Sequence, residues 1–133
     1  MKKKELTPSD KFNTAVEVRE TPDKGKAVFA MRDIRLGEKF GYFAGSVTQT
    51  NDMHAIHLEG VLIKGIGKLQ FLNHSCGPNS NFKNKNRWLY AKKDIHKGEE
   101  VTIDYTRTEK KFTSPFECKC GAPNCRKFIG MNP

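Results

Sequence analysis

The four cysteines of this chain are the residues whose spacing points most directly to chemistry. Cys118, Cys120 and Cys125 lie within eight residues near the C-terminus, whereas Cys76 stands alone far upstream. Four thiolates complete a closed tetrahedral zinc site, so the set predicts one structural Zn²⁺ that ties the tail back onto the body of the domain. Disulfide pairing among the same four cysteines is the alternative, although Cys118 and Cys120 are too close to pair easily with each other.

Length and composition indicate a single small domain with a limited core. The chain has 133 residues, of which 36% are hydrophobic, so a structural metal would contribute strongly to folding. No apolar run approaches the roughly 18 residues that a membrane span needs. The lysines at positions 2–4 are not followed by the apolar stretch of a signal peptide. We therefore expect an intracellular protein, cytoplasmic or nuclear and not secreted, in which thiols stay reduced.

The charge balance is strongly basic. Twenty-four Lys and Arg residues against fifteen Asp and Glu residues give a formal net charge of +9. Such a surface favours nucleic acid or acidic protein surfaces as partners and fits poorly to a free, highly basic peptide. The alternative is a lysine-rich surface that only keeps the protein soluble.

The hydrophobic pattern predicts a mostly β fold. Short alternating or apolar runs are separated by glycines, and no window carries the spacing of a long amphipathic helix. One or two helical turns are predicted near residues 69–72. The sequence shows no obvious internal repeat. Residues 1–14 are polar and predict a flexible leader. The expected strands fall at residues 16–18, 27–30, 61–63, 88–91 and 101–103.

Three segments in this order resemble the SET-domain protein-lysine methyltransferases. They are Asn73-His74-Ser75-Cys76-Gly77-Pro78-Asn79, the run from Gly98 to Tyr105, and the cysteines of the tail. The resemblance implies small curved sheets with a pseudoknot and a C-terminal post-SET zinc clasp. It also implies methyl transfer from S-adenosylmethionine to the lysine side chain of a protein substrate, such as a histone or another basic protein. On this basis residues 15–110 would form the SET domain and residues 111–133 the zinc-binding tail.

The resemblance assigns roles to the residues of the two signatures. Tyr105 would orient the lysine amine and the methyl group as the catalytic residue; the alternative is a tyrosine packed for its ring at a strand end. Asn73 would hold the amino-acid end of the cofactor, and His74 would meet the adenine through its backbone. For Asn73-His74-Ser75 the alternative is a polar turn.

A loop at residues 23–30 resembles the first cofactor-contacting loop of the family. Lys24, Gly25 and Lys26 are its candidate cofactor-binding residues, and Lys119 could lie along the adenine by analogy. Family members often carry a second glycine where this chain has Ala27, and alanine disfavours positive φ. Either the backbone at Ala27 is ordinary or the loop is displaced.

The candidate lysine channel comprises Tyr42, Phe43 and Ile103. The family's channel tyrosine aligns with Phe43, but a slip of one residue would bring Tyr42 to the channel instead. Ile103, two residues before Tyr105, would leave room for more than one methyl group. Core packing is the alternative for all three side chains.

Two departures from the family pattern weaken any inference about substrate. Gln70 replaces a common arginine, and little of the insert that builds the peptide groove of larger members fits between Gly45 and Gln70. The rival hypothesis is a catalytically silent SET-like module that docks to nucleic acid or chromatin through its basic surface.

Overall fold

The structure is a computed structural model that describes residues 13–23, 25–49, 55–58, 61–65, 67–82, 86–105, 116–118 and 120–129. Within these ranges the chain forms short strands and a single 3₁₀ turn, Lys68–Phe71, so the prediction of a mostly β fold is confirmed. The predicted helical turn near residues 69–72 is confirmed as well. The strands are β1 (Val16–Thr21), β2 (Gly25–Ala30), β3 (Lys39–Tyr42), β4 (Gly45–Val47), β5 (Ala55–Leu58), β6 (Val61–Gly65), β7 (Asn73–His74), β8 (Ser80–Phe82), β9 (Trp88–Ala91), β10 (Thr102–Ile103), β11 (Phe116–Glu117) and β12 (Phe128–Ile129).

In the described part of the chain, the strands assemble into five small sheets rather than one large sheet. Three are strand pairs, β1–β2 and β11–β12 antiparallel and β7–β10 parallel. The other two are the three-stranded antiparallel sheets β3–β9–β8 and β4–β6–β5. Gly65 has to be a glycine at the end of β6, because a Cβ there would lie 2.5 Å from the ring of Phe43. The sheets β1–β2, β7–β10, β3–β9–β8 and β4–β6–β5 contribute side chains to one shared core cluster.

The core is built from the inward faces of these strands. In β9 the alternation is complete, with Leu89 and Ala91 buried and their neighbours half-exposed, as a strand with one buried face requires. Phe43 and Phe82 meet edge to face with ring centroids 5.8 Å apart. The largest fully buried apolar side chains are Phe43, Ile34, Leu58, Ile63, Leu69, Leu89, Ile95, Val16, Val28 and Val101.

An internal repeat, which the sequence reading missed, joins two distant loops. Residues 32–38 and 93–99 both follow the pattern basic–Asp–Ile–x–x–Gly–Glu. Ile34 and Ile95 exchange both backbone hydrogen bonds, at 2.7 and 2.8 Å. Each loop's aspartate also accepts from a backbone N–H of the other loop, Asp94 from Leu36 and Asp33 from Lys97, both at 2.8 Å. The two copies are therefore related by an approximate twofold arrangement that fixes the run leading into Tyr105.

Asn13 is bonded to the end of β3. Asn13 is fully buried, and its side chain donates to the Tyr42 carbonyl at 3.0 Å and accepts from the Tyr42 N–H at 2.7 Å. These bonds hold the end of β3, and the flexible leader over residues 1–14 stays a prediction. Residues 1–12 and the predicted boundary at residues 110 and 111 lie outside the described residues. In the described ranges no helix is long and apolar enough to cross a membrane.

Candidate functional site

The two signature segments lie side by side in the structure. Asn73 pairs with Thr102 and His74 with Ile103 in the parallel β7–β10 ladder, and the Ser75 N–H donates to the Ile103 carbonyl at 2.9 Å. Parallel strands cannot be joined by a tight turn, so the intervening chain must leave and return before the two segments meet. The meeting of the two signatures agrees with the pseudoknot that the family resemblance implied.

Asn79 stabilises the place where the two signature segments cross, a role that sequence reasoning missed. Its Oδ1 accepts from the Thr102 N–H at 2.9 Å and its Nδ2 donates to the Glu100 carbonyl at 2.8 Å. Next to it, the Ser80 hydroxyl donates to the Thr102 carbonyl at 2.7 Å. The buried amide of Asn79 thus acts as a further rung beside the two-residue strand β10. The available signal was its place at the end of the first signature.

Tyr105 is fixed at both its backbone and its hydroxyl. Its Oη donates to the Leu72 carbonyl at 2.6 Å, and its backbone N–H donates to His74 Nδ1 at 2.9 Å. The ring is half-buried against the core, with its centroid 5.3 Å from that of His74. The phenol oxygen therefore lies beside the residue that precedes Asn73.

The His74 ring links Tyr105 to the cysteines. Because Nδ1 accepts from a backbone N–H, the ring proton must lie on Nε2, which is 3.3 Å from Cys76 Sγ. Burial lowers the pKa of His74, and the positive charge of Arg126 also lowers it, while Asp104 acts in the opposite direction. These contacts place the His74 ring between the backbone of Tyr105 and the thiol of Cys76.

The four cysteines converge on one point. The Sγ atoms of Cys76, Cys118, Cys120 and Cys125 all lie within 4.8 Å of one another, and those of Cys76 and Cys118 are 3.9 Å apart. A tetrahedral ZnS₄ centre with Zn–S bonds of about 2.3 Å places its sulfurs about 3.8 Å apart. The thiol set therefore fits Zn²⁺, and none of the four is in a disulfide.

The surroundings of the thiols differ in ways that matter for metal binding. Burial raises the pKa of Cys118 to about 12. Burial also acts to raise the pKa of Cys120, but hydrogen bonds from the backbone N–H groups of Cys76 and Ala122 and from the thiols of Cys118 and Cys125 together outweigh it and lower that pKa to about 6. A bound Zn²⁺ would deprotonate all four thiols, and the N–H of Arg126, 3.3 Å from Cys76 Sγ, would stabilise a thiolate there.

An ion pair fastens the tail to the second signature. Arg126 Nη2 lies 2.7 Å from Asp104 Oδ2, next to Tyr105, and the Asn124 side chain donates to the Cys76 carbonyl at 2.9 Å. Neither contact was predicted, because nothing in the local sequence of Asp104 indicates a partner in the tail. Together with the thiols they bring residues 120–129 against the β7–β10 crossing.

The candidate cofactor loop takes the simpler of its two expected forms. Ala27 lies within β2, paired with Arg19 and fully buried, so its backbone is ordinary. Gly25 begins the strand at φ 70°, and Lys26 Nζ lies 5.0 Å above the ring of Phe71. Lys24 and Lys119 lie outside the described residues.

The three candidate channel residues occupy different environments. Phe43 is 2% exposed and faces the core, whereas Tyr42 is half-exposed and packs edge-on against Trp88 at 4.8 Å. Ile103 is 2% exposed in the same core cluster as Phe43. Burial of Phe43 and Ile103 agrees with core packing and equally with the wall of an enclosed channel.

Asn73 contacts a residue that sequence reasoning did not select. Its Nδ2 donates to Glu100 Oε2 at 2.9 Å. Glu100 forms an isolated bridge with Phe29 of β2, and the next residue, Val101, donates to the Val28 carbonyl at 2.8 Å. Glu100 therefore stands between the candidate cofactor loop and the first signature.

Comparison with known proteins identifies the family to which this fold belongs. Residues 25–106 match the SET domain family. By this match the chain belongs to the SET domain family.

Several of its relatives are named as histone-lysine N-methyltransferases. The chain is 30% identical over 137 residues to histone-lysine N-methyltransferase ash1 of Drosophila melanogaster, covering 83% of this chain and 6% of that protein. It is 29% identical over 140 residues to the H3 lysine-36 specific histone-lysine N-methyltransferase of Mycosarcoma maydis, covering 86% of this chain and 14% of that protein. The chain thus spans only a small part of these relatives.

Solved structures show the same fold. The methyltransferase domain of human SETMAR superposes with a TM-score of 0.70 at 25% identity, covering 86% of this chain and 57% of that one. KRYPTONITE, solved in complex with mCHH DNA, an H3(1–15) peptide and SAH, superposes with a TM-score of 0.68 at 25% identity, covering 86% and 29%.

Proposed function

We propose that this chain transfers a methyl group from S-adenosylmethionine to the side-chain amine of a protein lysine. The observation that carries the proposal is the half-buried Tyr105 hydroxyl, held at 2.6 Å to the Leu72 carbonyl where the two signatures cross. Membership of the SET domain family and relatives named as histone-lysine N-methyltransferases support it.

Tyr105 is the proposed catalytic residue, and its hydrogen bond defines what it can do. Because Oη gives its proton to the Leu72 carbonyl, it can act toward the N–H of an incoming amine only as a hydrogen-bond acceptor. A free lysine has a pKa of about 10.4 and is protonated at neutral pH, so the site must favour the neutral nucleophile. Apolar burial does so, and alignment by a fixed phenol reduces the entropy lost in reaching the reactive geometry.

The polar groups of the first signature also fit the cofactor. When bound, S-adenosylmethionine supplies an electrophilic methyl on a sulfonium. Asn73 offers a half-buried amide beside the Glu100 carboxylate, suited to the charged amino-acid end. We assign the adenine to the backbone of His74, with Lys24, Gly25, Lys26 and Lys119 lining the remaining contacts, and the lysine channel to Tyr42, Phe43 and Ile103.

Zn²⁺ would be held by the four cysteines as a structural ion. With four thiolates there is no open coordination position, so its chemistry is to fix the tail rather than to activate water. The tail in turn reaches Asp104, the residue before Tyr105, through Arg126. The zinc clasp therefore supports the second signature.

For the substrate we propose histone H3 within a nucleosome, in the nucleus. One relative is named H3 lysine-36 specific, and a structural neighbour was solved with an H3 peptide and DNA. A chain of formal charge +9 repels a free basic tail, whereas nucleosomal DNA attracts it. The histone lysine in that relative's name is the first one to examine as the target.

The test compares labelled methyl transfer to nucleosomes, to free histone H3 and to an H3 peptide at equal concentration. We expect transfer that is strongest on nucleosomes and that falls steeply with added salt. Replacement of single H3 lysines by arginine, beginning with the one just named, identifies the target. Failure of transfer to all three substrates by zinc-loaded protein that binds S-adenosylhomocysteine would contradict the substrate proposal.

The silent binding module is not favoured as a second function. The comparisons place the chain among proteins named as methyltransferases, and Tyr105 and Asn73 are both present at the crossing.

A further inference from the structure

We infer that Glu100 is a positioning residue that orients the Asn73 amide toward the ammonium of the cofactor's amino-acid end. The inference rests on the proposed function, since it concerns the same cofactor site. It starts from one contact, the 2.9 Å hydrogen bond between Asn73 Nδ2 and Glu100 Oε2.

The chemistry of the two groups fixes the orientation of the amide. An ionised carboxylate can only accept hydrogen bonds, so it selects the amino group of Asn73 and excludes the flipped amide, whose Oδ1 would face another acceptor. With Nδ2 engaged by Glu100, Oδ1 is turned away from the carboxylate. A carbonyl oxygen presented in this way accepts from an ammonium and repels a carboxylate, so it selects one of the two charged groups of an α-amino acid.

The backbone around Glu100 is held firmly enough to serve this purpose. The Glu100 carbonyl accepts from the Asn79 amide at 2.8 Å, and Glu99 and Val101 are tied to β2 by bonds of 2.9 Å from Ala30 and 2.8 Å to Val28. The carboxylate is therefore fixed relative to both β2 and β7. An unsupported side chain could not impose one orientation on its partner.

The experiment measures binding of two nucleosides by calorimetry. S-adenosylhomocysteine carries the amino-acid end, whereas methylthioadenosine lacks it. The glutamine of Glu100→Gln can donate or accept a hydrogen bond, so it allows both orientations of the Asn73 amide. Glu100→Ala removes the bonding partner of that amide and therefore imposes no orientation on it. We expect Glu100→Ala to weaken S-adenosylhomocysteine binding by about tenfold to a hundredfold, and Glu100→Gln by less, with methylthioadenosine binding changed by about twofold or less.

Two controls isolate the mechanism. Glu99→Gln makes the same charge change one residue away, at a side chain that caps the His96 N–H, and should leave both affinities unchanged. In an Asn73→Ala background, Glu100→Gln should have no further effect, because its action passes through that amide.

Three results would overturn the inference. One is an equal loss of affinity for both nucleosides in Glu100→Gln, which would indicate that Glu100 has a structural role. Another is unchanged S-adenosylhomocysteine binding in folded Glu100→Ala, and the third is additivity with Asn73→Ala. Absence of binding to the zinc-loaded wild type would instead contradict the proposed function itself, so the two failures are distinguishable.

Discussion

Replacing Asn79 by alanine should destabilise the crossing of the two signatures. The amide of Asn79 supplies one bond to the Thr102 N–H and one to the Glu100 carbonyl, at 2.9 and 2.8 Å, and the residue is only 8% exposed. Truncation removes both bonds and leaves two backbone groups in a site with little access for water.

The expected loss is large for one side chain. A buried polar group left without its partner costs about 1–3 kcal/mol, so two groups give roughly 2–6 kcal/mol. The whole free energy of unfolding of a small domain is about 5–15 kcal/mol. For a chain of this length about 4 °C in Tm corresponds to 1 kcal/mol, which predicts a fall of at least about 8 °C.

Urea and thermal unfolding of zinc-loaded protein measure this loss. The matched control is Asn81→Ala, an amide two residues along the chain that is half-buried in β8, where we expect a change of about 0.5 kcal/mol or less. Asn79→Asp should be intermediate, since its carboxylate still accepts from Thr102 but cannot donate to Glu100. An Asn79→Ala protein no less stable than Asn81→Ala would refute the assigned role.

Three further predictions concern the tail and the channel. Protein purified without added metal should contain about one zinc per chain, and Cys76→Ser should release zinc and loosen the tail as severely as Cys120→Ser; a stable, fully folded, metal-free protein would rule out the clasp. Arg126→Ala should lower stability by at most about 1 kcal/mol, because its side chain is 40% exposed, and should retain one zinc per chain, because the four thiols and the backbone N–H that contacts Cys76 remain; loss of zinc from this variant, measured with a chelating dye, would contradict that reading. Wild-type protein should add two or three methyl groups to the lysine. Ile103→Tyr should shift the products toward one methyl group, and Ile103→Phe separates the effect of ring bulk from that of the hydroxyl. Mass spectrometry that shows only monomethyl product from the wild type at full conversion would disprove this prediction.

The sequence was sufficient to predict that the four cysteines meet and that the architecture is mostly β. The chain has four cysteines, the number that a closed zinc site needs, and three of them lie together in the tail. A four-thiol site therefore requires Cys76 to meet the tail, and the Sγ positions show that it does. Runs in which buried and exposed side chains alternate, such as Trp88-Leu89-Tyr90-Ala91, form strands because one face of the strand packs against the core.

The contacts that complete the site could not be predicted in the same way. The β7–β10 ladder has two residues on each strand, too few for any hydrophobic pattern to set a register. The bonds of Asn13 to Tyr42 and of Asp104 to Arg126 join positions far apart in sequence, and no local propensity marks either partner. The internal repeat was missed because its shared residues lie in two short loops. Asp and Gly are common in ordinary turns, so their recurrence there did not indicate a repeat.

Methyl transfer by Tyr105→Phe tests the central claim most directly. Phenylalanine keeps the ring that packs against the core and removes only the hydroxyl that bonds the Leu72 carbonyl. With zinc content, fold and S-adenosylhomocysteine affinity matched to the wild type, we predict that transfer of labelled methyl to nucleosomal histone falls on the order of a hundredfold. Unchanged turnover in that verified variant would contradict the assignment of Tyr105 as the catalytic residue.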